Sequence, residues 1–79
     1  MSIVIKNYHK NQMINFFLNG QKYTTENSIT ISELLKYLNY NTELLVVEYN
    51  NFICPKKLWN SIKIGENNTI EIISIVGGG

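Results

Sequence analysis

Few side chains of this 79-residue chain can do covalent chemistry, and they form no recognisable catalytic set. The sequence has one cysteine, Cys54, and one histidine, His9. It contains no aspartate, so a Ser–His–Asp triad is excluded, and one Cys with one His cannot complete a structural zinc site. A single cysteine also cannot form an internal disulfide. We interpret Cys54 as a small buried hydrophobe at a strand end, a common setting for a free cysteine.

The end of the chain is a better candidate for a reactive group, because Gly77-Gly78-Gly79 follows directly on a β-rich run. Glycines have no side chain, so such a tail can enter a narrow channel and leave its terminal carbonyl accessible. A carboxylate is a poor electrophile and must first be activated, most simply as an acyl-adenylate made from ATP. A frayed terminus or a cloning remnant is the alternative. We predict that 77–79 form a flexible tail and that the Gly79 carboxylate is the reactive group.

The composition indicates one small folded domain without a strong electrostatic bias. Hydrophobic residues make up 44% of the chain, and seven lysines against six glutamates give a net charge of +1. Since no basic field exists to attract nucleic acid or an anionic membrane, neither is expected as a partner. No apolar run is long enough to span a bilayer, and the N-terminus does not resemble a signal peptide.

The residue usage also bears on the origin of the gene. Asparagine and isoleucine each occur twelve times, whereas arginine and alanine are absent. This bias is typical of an AT-rich bacterial or organelle genome and says nothing about chemistry. With no targeting signal predicted, we expect a cytoplasmic protein, or one of the plastid stroma if the gene lies in an organelle.

The first clear element is a hairpin. Ile14, Phe16 and Leu18 recur at every second position, which is the period of a strand with one buried face. Asn19-Gly20 follows, the dipeptide that most readily forms a tight turn between two strands. The pattern predicts a hairpin over Met13–Thr25.

A short helix is predicted next. Thr30 and Glu33 have the spacing of a capping box, in which each side chain accepts from the other residue's backbone N–H. One apolar helical stripe follows the cap, formed by Ile31, Leu34, Leu35 and Leu38. The helix is predicted over 31–39. It is too short to be stable alone and must be held by packing.

Three more strands are predicted in the second half of the chain. A β-rich run over 44–49 leads through Asn50-Asn51 into a short return strand at 52–53. Lys56–Trp59 is predicted to form a single helical turn. Residues 69–76 have the strongest strand propensity in the chain.

One helix on a mixed sheet of four or five strands is an α+β roll. If the last strand lies beside the first, in the middle of the sheet, the arrangement is the β-grasp of ubiquitin-like domains. We therefore divide the chain into an N-terminal extension at 1–12, either a tail or an edge strand, a β-grasp domain at 13–76 and the tail at 77–79.

Several of these segments together resemble the ThiS family of sulfur carriers from thiamine biosynthesis, over residues 13–79. The segments stand in the family's order and are Phe17-Leu18-Asn19-Gly20, Thr30-Ile31-Ser32-Glu33-Leu34-Leu35, Val47-Glu48-Tyr49-Asn50, Cys54-Pro55-Lys56-Lys57-Leu58-Trp59 and 70–79. Residues 1–12 are extra, and the turn at 65–68 is longer than usual in the family.

The resemblance implies a carrier that is a co-substrate rather than an enzyme. A ThiF-like adenylyltransferase would use ATP and Mg to adenylate Gly79. Sulfur from a cysteine desulfurase, or indirectly from a rhodanese-type donor, would then displace AMP and leave a thiocarboxylate. Thiazole synthase (ThiG) would take that sulfur to build the thiazole ring. The carrier itself is expected to bind no cofactor and no metal.

Two other functions share this fold and stay open. One is the small subunit of molybdopterin synthase, which also ends in Gly-Gly. The Asn-Gly hairpin and the Ile-Val-Gly-Gly-Gly ending favour the thiamine carrier over it. The other is a protein modifier that forms isopeptide bonds through Gly79.

Strand alternation predicts a partner-binding face. Since Glu71 and Glu48 should point away from the helix, Ile73 and Ile75 share the outer face of the last strand. The same alternation places Val46 and Phe17 on the outer faces of their strands. If the strands lie side by side, these four apolar residues form an exposed patch beside the tail, typical of a docking site. The alternatives are that residues 1–12 cover this face as an added element, or that a β-bulge changes the alternation.

Overall fold

A computed structural model describes residues 4–5 and 13–75 of the chain, in which one helix packs on a mixed sheet. Two single-turn 3₁₀ helices lie at Thr42–Leu44 and Lys56–Leu58. The remaining elements, in chain order, are β1 (Val4–Ile5), β2 (Met13–Leu18), β3 (Gln21–Glu26), α1 (Ile31–Tyr37), β4 (Leu45–Tyr49), β5 (Phe52–Cys54) and β6 (Thr69–Ser74).

The sheet order is β1-β3-β2-β6-β4-β5. Strand β6 runs parallel to β2 and antiparallel to β4, so the last strand lies between the two hairpins. This confirms the predicted β-grasp fold, with five strands in the main sheet. The two-residue β1 adds a parallel edge strand by pairing with Thr24 and Thr25 of β3, and the other residues of 1–12 lie outside the described part.

The hairpin β2–β3 forms as predicted, because its turn chemistry and its alternation agree. Asn19 and Gly20 both have positive φ, at 50° and 83°, which matches the twist of a two-residue hairpin turn. Ile14, Phe16 and Leu18 are all buried on the face that meets the helix.

The capping box at the start of α1 is present. Thr30 Oγ1 accepts from the backbone N–H of Glu33 at 3.1 Å, and Glu33 Oε1 accepts from that of Thr30 at 2.8 Å. The helix ends at Tyr37, two residues before the predicted end, because Asn39 adopts a left-handed conformation with φ of 62°. The buried side of the helix packs on the sheet through Ile31, Leu34 and Leu35, which are fully buried.

The second hairpin, β4–β5, turns at Asn50-Asn51, and both residues have positive φ, at 49° and 72°. Val47 of β4 lies in the core, together with Ile70 and Ile72 of β6. Strand β6 ends at Ser74, whereas the prediction extended it to residue 76. Val76 lies outside the described residues.

Candidate functional site

The predicted reactive tail continues from β6, and the pairing of β6 determines where the chain leaves the sheet. On the β2 side, the backbone N–H of Asn19 donates to the carbonyl of Ile70 at 2.9 Å. On the β4 side, the N–H of Ile75 donates to the carbonyl of Leu44 at 2.8 Å. The strand is therefore held on the β4 side for several residues after its pairing with β2 has ended.

On the β2 side of β6, the last hydrogen bond is made by the side chain of Asn19. Its Oδ1 accepts from the backbone N–H of Ile72 at 2.8 Å, in place of a further strand residue. Because the hairpin turn has already begun at Asn19, no β2 backbone remains to fill that position. The result is a central strand that is bonded as far as Ile72 on the β2 side and as far as Ile75 on the β4 side.

Gly77, Gly78 and Gly79 lie outside the described residues. Their assignment as a tail that carries the reactive carboxylate therefore stays a prediction. The described geometry ends at Ile75, which is still bonded to the sheet through its backbone N–H. In the sequence, Val76 follows Ile75, and the three glycines come directly after Val76.

Three of the four residues predicted for the docking face come together. Val46 lies directly opposite Ile73, and the hydrogen bond from the N–H of Ile75 to the carbonyl of Leu44 places these two residues side by side, just beyond the paired ends of β4 and β6. Ile73, Ile75 and Leu44 are all about half exposed, at 46%, 51% and 51%. We call these four residues, Leu44, Val46, Ile73 and Ile75, the outer patch.

Phe17 lies apart from the outer patch. It is opposite Thr69, four residues before Ile73 along β6, which is about 13 Å in a strand. Leu44, which the sequence analysis does not predict for this face, takes its place. Leu44 is two residues before Val46, so the same alternation includes it, although it belongs to the 3₁₀ helix that precedes β4.

Two glutamates border the outer patch. Glu48 and Glu71 lie directly opposite each other on the outer face, next to the pair Val46 and Ile73. Like charges at this spacing repel each other and weaken a sheet. The face thus combines an apolar area near the end of β6 with a negative area farther along the same strands.

Cys54 is a structural residue. It is 5% exposed, as predicted, and burial raises the pKa of its thiol. A raised pKa keeps the thiol protonated near neutral pH, and the protonated form is a poor nucleophile. The carbonyl of Cys54 accepts a hydrogen bond at 3.0 Å from Nε1 of Trp59, a side chain that is itself buried. His9 lies outside the described residues.

Within 4–5 and 13–75, no group of three or more His, Cys, Asp or Glu side chains is placed to hold a metal ion. None of the helices in the same ranges is both long and apolar enough to cross a membrane.

The comparisons with known proteins agree with this fold. The ThiS family model matches residues 10–79. The chain belongs to the ThiS family. A ThiS structure, the thiamine biosynthesis protein from Geobacter metallireducens, superposes with a TM-score of 0.74 at 25% identity, over 84% of this chain and 100% of that one. The family and the ubiquitin-like β-grasp fold expected from the sequence are both confirmed.

Two sequence relatives of this ThiS-family chain differ in length. A protein of Trieres chinensis named ycf40 is 58% identical over 64 residues, which is 81% of this chain and 88% of that protein. A thiazole synthase from Paramagnetospirillum magneticum is 29% identical over 62 residues, 78% of this chain and 19% of that protein. In the second case the ThiS-like segment is a small part of a larger polypeptide.

Proposed function

We propose that this ThiS-family protein is a sulfur carrier for thiazole formation in thiamine biosynthesis, and that Gly79 is its reactive residue. In the first step the terminal carboxylate attacks the α-phosphorus of ATP on a ThiF-like adenylyltransferase, with Mg as that enzyme's metal, and pyrophosphate leaves. A persulfide sulfur from a cysteine desulfurase or rhodanese-type donor then attacks the acyl carbon, and AMP leaves. Reductive cleavage of the resulting acyl disulfide by a thiol gives the thiocarboxylate.

The observation that carries the proposal is the position of β6. It lies between β2 and β4 and is bonded as far as Ile72 on the β2 side and as far as Ile75 on the β4 side, and in sequence the three glycines follow Val76. A rigid strand that continues into residues without side chains can present a carboxylate to another enzyme's active site. The carrier needs no general acid or base of its own, which suits a chain whose buried cysteine is not nucleophilic.

The thiazole branch is favoured by two relatives. The superposed ThiS structure is named as a thiamine biosynthesis protein. A thiazole synthase contains a segment similar to this chain, which supports a functional association of the carrier with that enzyme. On this basis we take thiazole synthase (ThiG) as the acceptor of the sulfur.

We further propose that the outer patch is the docking face for both enzymes. It is half exposed, apolar and next to the end of β6, so a partner seated there would have the tail within reach. If both enzymes use it, their complexes with the carrier exclude each other. Phe17 borders the same face at the far end and is expected to contribute less.

Intact-mass measurement tests the chemistry. The full chain is incubated with a ThiF-type enzyme, ATP, Mg, a cysteine desulfurase and cysteine, and the expected product has gained the mass of sulfur replacing one oxygen. Deletion of Gly79 should abolish this product and leave the circular dichroism spectrum unchanged. A truncated chain that still acquires sulfur would refute the role of Gly79. Transfer of the sulfur to a molybdopterin precursor rather than to thiazole, or isopeptide linkage to other proteins, would replace the proposed function.

Calorimetry tests the docking face. Ile73→Ala removes a central apolar side chain of the outer patch and should weaken binding to both enzymes by about 2 kcal/mol, the size of an interface hot spot. Tyr37→Ala is the matched control, because Tyr37 is similarly exposed at 55% but lies on the helix. Equal losses for the two variants, or a ternary complex with both enzymes on one carrier, would argue against a shared face.

A further inference from the structure

An apolar groove of about 200 Å³ lies along β5, the strand on the far side of β4 from β6. Phe52 and Ile53 line it and are 77% and 69% exposed, and Leu58 lines it at 39%. Pockets for free small-molecule ligands are larger, at roughly 300–1,000 Å³. The groove is thus suited to one or two apolar side chains of another protein rather than to a metabolite.

The same place is an open edge of the sheet. Among the residues that the structure describes, β5 pairs with β4 only. In a hairpin with a two-residue turn, the residues that flank the turn, here Tyr49 and Phe52, form a hydrogen-bonded pair. The N–H and C=O of the next residue, Ile53, therefore point away from β4. Pro55 has no N–H and ends the edge two residues later.

Lysines follow the groove along the chain, and one glutamate, Glu48, lies directly opposite Ile53 on β4. Residues 50–64 contain three lysines and no acidic residue, although the chain as a whole is nearly neutral. Lys56 and Lys57 lie between Pro55 and Leu58, both of which line the groove. Glu48 also lies opposite Glu71, so the negative charge nearest to the edge is the first of two on the outer face.

Edge protection explains part of this arrangement but not all of it. Short strands, prolines and lysines all discourage a sheet edge from pairing with other chains. Protection does not explain why two large apolar side chains, Phe52 and Ile53, are left mostly in water at that edge. An exposed apolar group next to a polar rim is typical of an interaction site.

We propose that this edge is a second docking site, which binds an extended acidic segment of a partner protein. An apolar side chain of the segment fills the groove, its backbone pairs with the N–H and C=O of Ile53, and its carboxylates face Lys56 and Lys57. The contact is small, so we expect a dissociation constant of about 0.1–1 mM for an isolated segment.

The site is independent of the sulfur chemistry. Tyr49, which lines the groove, is three residues from Val46 of the outer patch, about 10 Å along the strand. A segment bound at the open side of β5 is separated from Ile73 of β6 by the strands β5 and β4, which leaves the end of β6 accessible. The carrier can hold an edge partner and a tail-modifying enzyme at the same time.

An NMR titration of the full chain, labelled with ¹⁵N, tests the proposal. The probe is an acetylated and amidated heptapeptide with a Val-Leu-Val centre and two Glu at each end. We expect saturable shifts confined to residues 49–62, and slower amide exchange at Ile53. A second peptide with Lys in place of every Glu, and a third with its central amides N-methylated, should both bind at least about fivefold more weakly.

Variants of the chain complete the test. Lys57→Glu should weaken binding of the acidic peptide about fivefold or more, whereas Lys36→Glu, at an exposed position on the helix, should not. Phe52→Ser should abolish the shifts, with Tyr37→Ser as the matched control. The proposal is overturned if no localised shifts appear at millimolar peptide, or if the Lys peptide binds equally well. A dimer in sedimentation equilibrium that Ile53→Thr disrupts would assign the edge to a second copy instead.

Discussion

Two hairpins flank the central strand β6. Each of them bonds to β6 through the first residue of its turn, which is an asparagine in both. In β2–β3, Asn19 Oδ1 accepts from the backbone N–H of Ile72 at 2.8 Å. In β4–β5, Asn50 Oδ1 accepts from the N–H of Thr69 at 2.9 Å. The two asparagines also have nearly the same backbone conformation, with φ of 50° and 49°.

The two contacts differ in their access to water. The bond from Ile72 to Asn19 is partly buried, whereas the bond from Thr69 to Asn50 is exposed. If the Asn50 side chain is removed, water can bond to the N–H of Thr69. If the Asn19 side chain is removed, the N–H of Ile72 loses its partner in a less solvated place. The cost of losing a hydrogen bond depends mainly on whether the group left behind is solvated. The same residue in the same turn position should therefore matter more in the first hairpin.

The largest effect is expected for Asn19→Ala, with a loss of about 2–4 kcal/mol in the free energy of unfolding. One part is the unpaired N–H of Ile72, and the other is the cost of a left-handed conformation for Ala. Asn19→Gly also leaves the N–H of Ile72 unpaired, but Gly adopts the left-handed conformation without strain. This variant should therefore lose only about 1–3 kcal/mol. Urea denaturation measures both. A loss under 0.5 kcal/mol for Asn19→Gly would mean that the Ile72 contact contributes little.

The turn glycine should matter next. Gly20 has φ of 83°, and a Cβ added there meets no atom within 4 Å, so Gly20→Ala tests conformation without a clash. We expect a loss of about 1–2 kcal/mol. At the equivalent position of the second hairpin, Asn51→Gly should change stability by less than about 0.5 kcal/mol. Gly adopts a positive φ with less strain than Asn, but it also raises the conformational entropy of the unfolded chain, and the two effects oppose each other. Thermal denaturation of both variants decides the point.

Asn50→Gly is the exposed counterpart of Asn19→Gly, and we expect it to lose only about 0.5–1 kcal/mol. Amide hydrogen exchange gives the local readout. Exchange at Thr69 should become faster in this variant, while exchange at Ile72 stays slow. Equal losses of stability for the two Asn→Gly variants would contradict the role assigned to burial.

A smaller effect of opposite sign is expected on the β4 side of β6. Glu71 faces Glu48 across the strands, whereas β2, on the other side, has no carboxylate. Glu71→Gln should stabilise the fold by about 0.2–1 kcal/mol, since it removes a like-charge pair. The gain should shrink in high salt, because salt screens exposed charges. Glu43→Gln, off the sheet, is the control, and an equal gain there would exclude the pair as the cause.

The smallest effect concerns the second hairpin's cysteine. Cys54→Ser should leave the rate of thiocarboxylate formation unchanged, because sulfur is expected to come from a partner. In the native protein at neutral pH, iodoacetamide should label Cys54 far more slowly than in urea. Since burial raises the pKa of the thiol, the neutral form is favoured in the fold, and its contribution to stability is lost as pH rises above the usual thiol range near ~8.5. Loss of sulfur transfer in a folded Ser variant would reassign Cys54 to the chemistry.

The sequence alone determined the features that depend on near neighbours. The Asn19-Gly20 turn follows from positive φ preferences, and the helix start follows from the capping pair Thr30 and Glu33, three residues apart. The shared face of Val46 and Ile73 also follows from alternation, because successive residues of a strand point to opposite faces.

The register of the strands relative to one another depends on contacts between residues that are distant in sequence. Alternation fixes the face of Phe17 but not its partner, and the register places it opposite Thr69 instead of near Ile73. It likewise brings the side chain of Asn19 to Ile72, 53 residues away, a contact that no local pattern encodes. A shift of register by two residues keeps every side chain on its face, so periodicity cannot distinguish such registers, and packing of the whole sheet selects one.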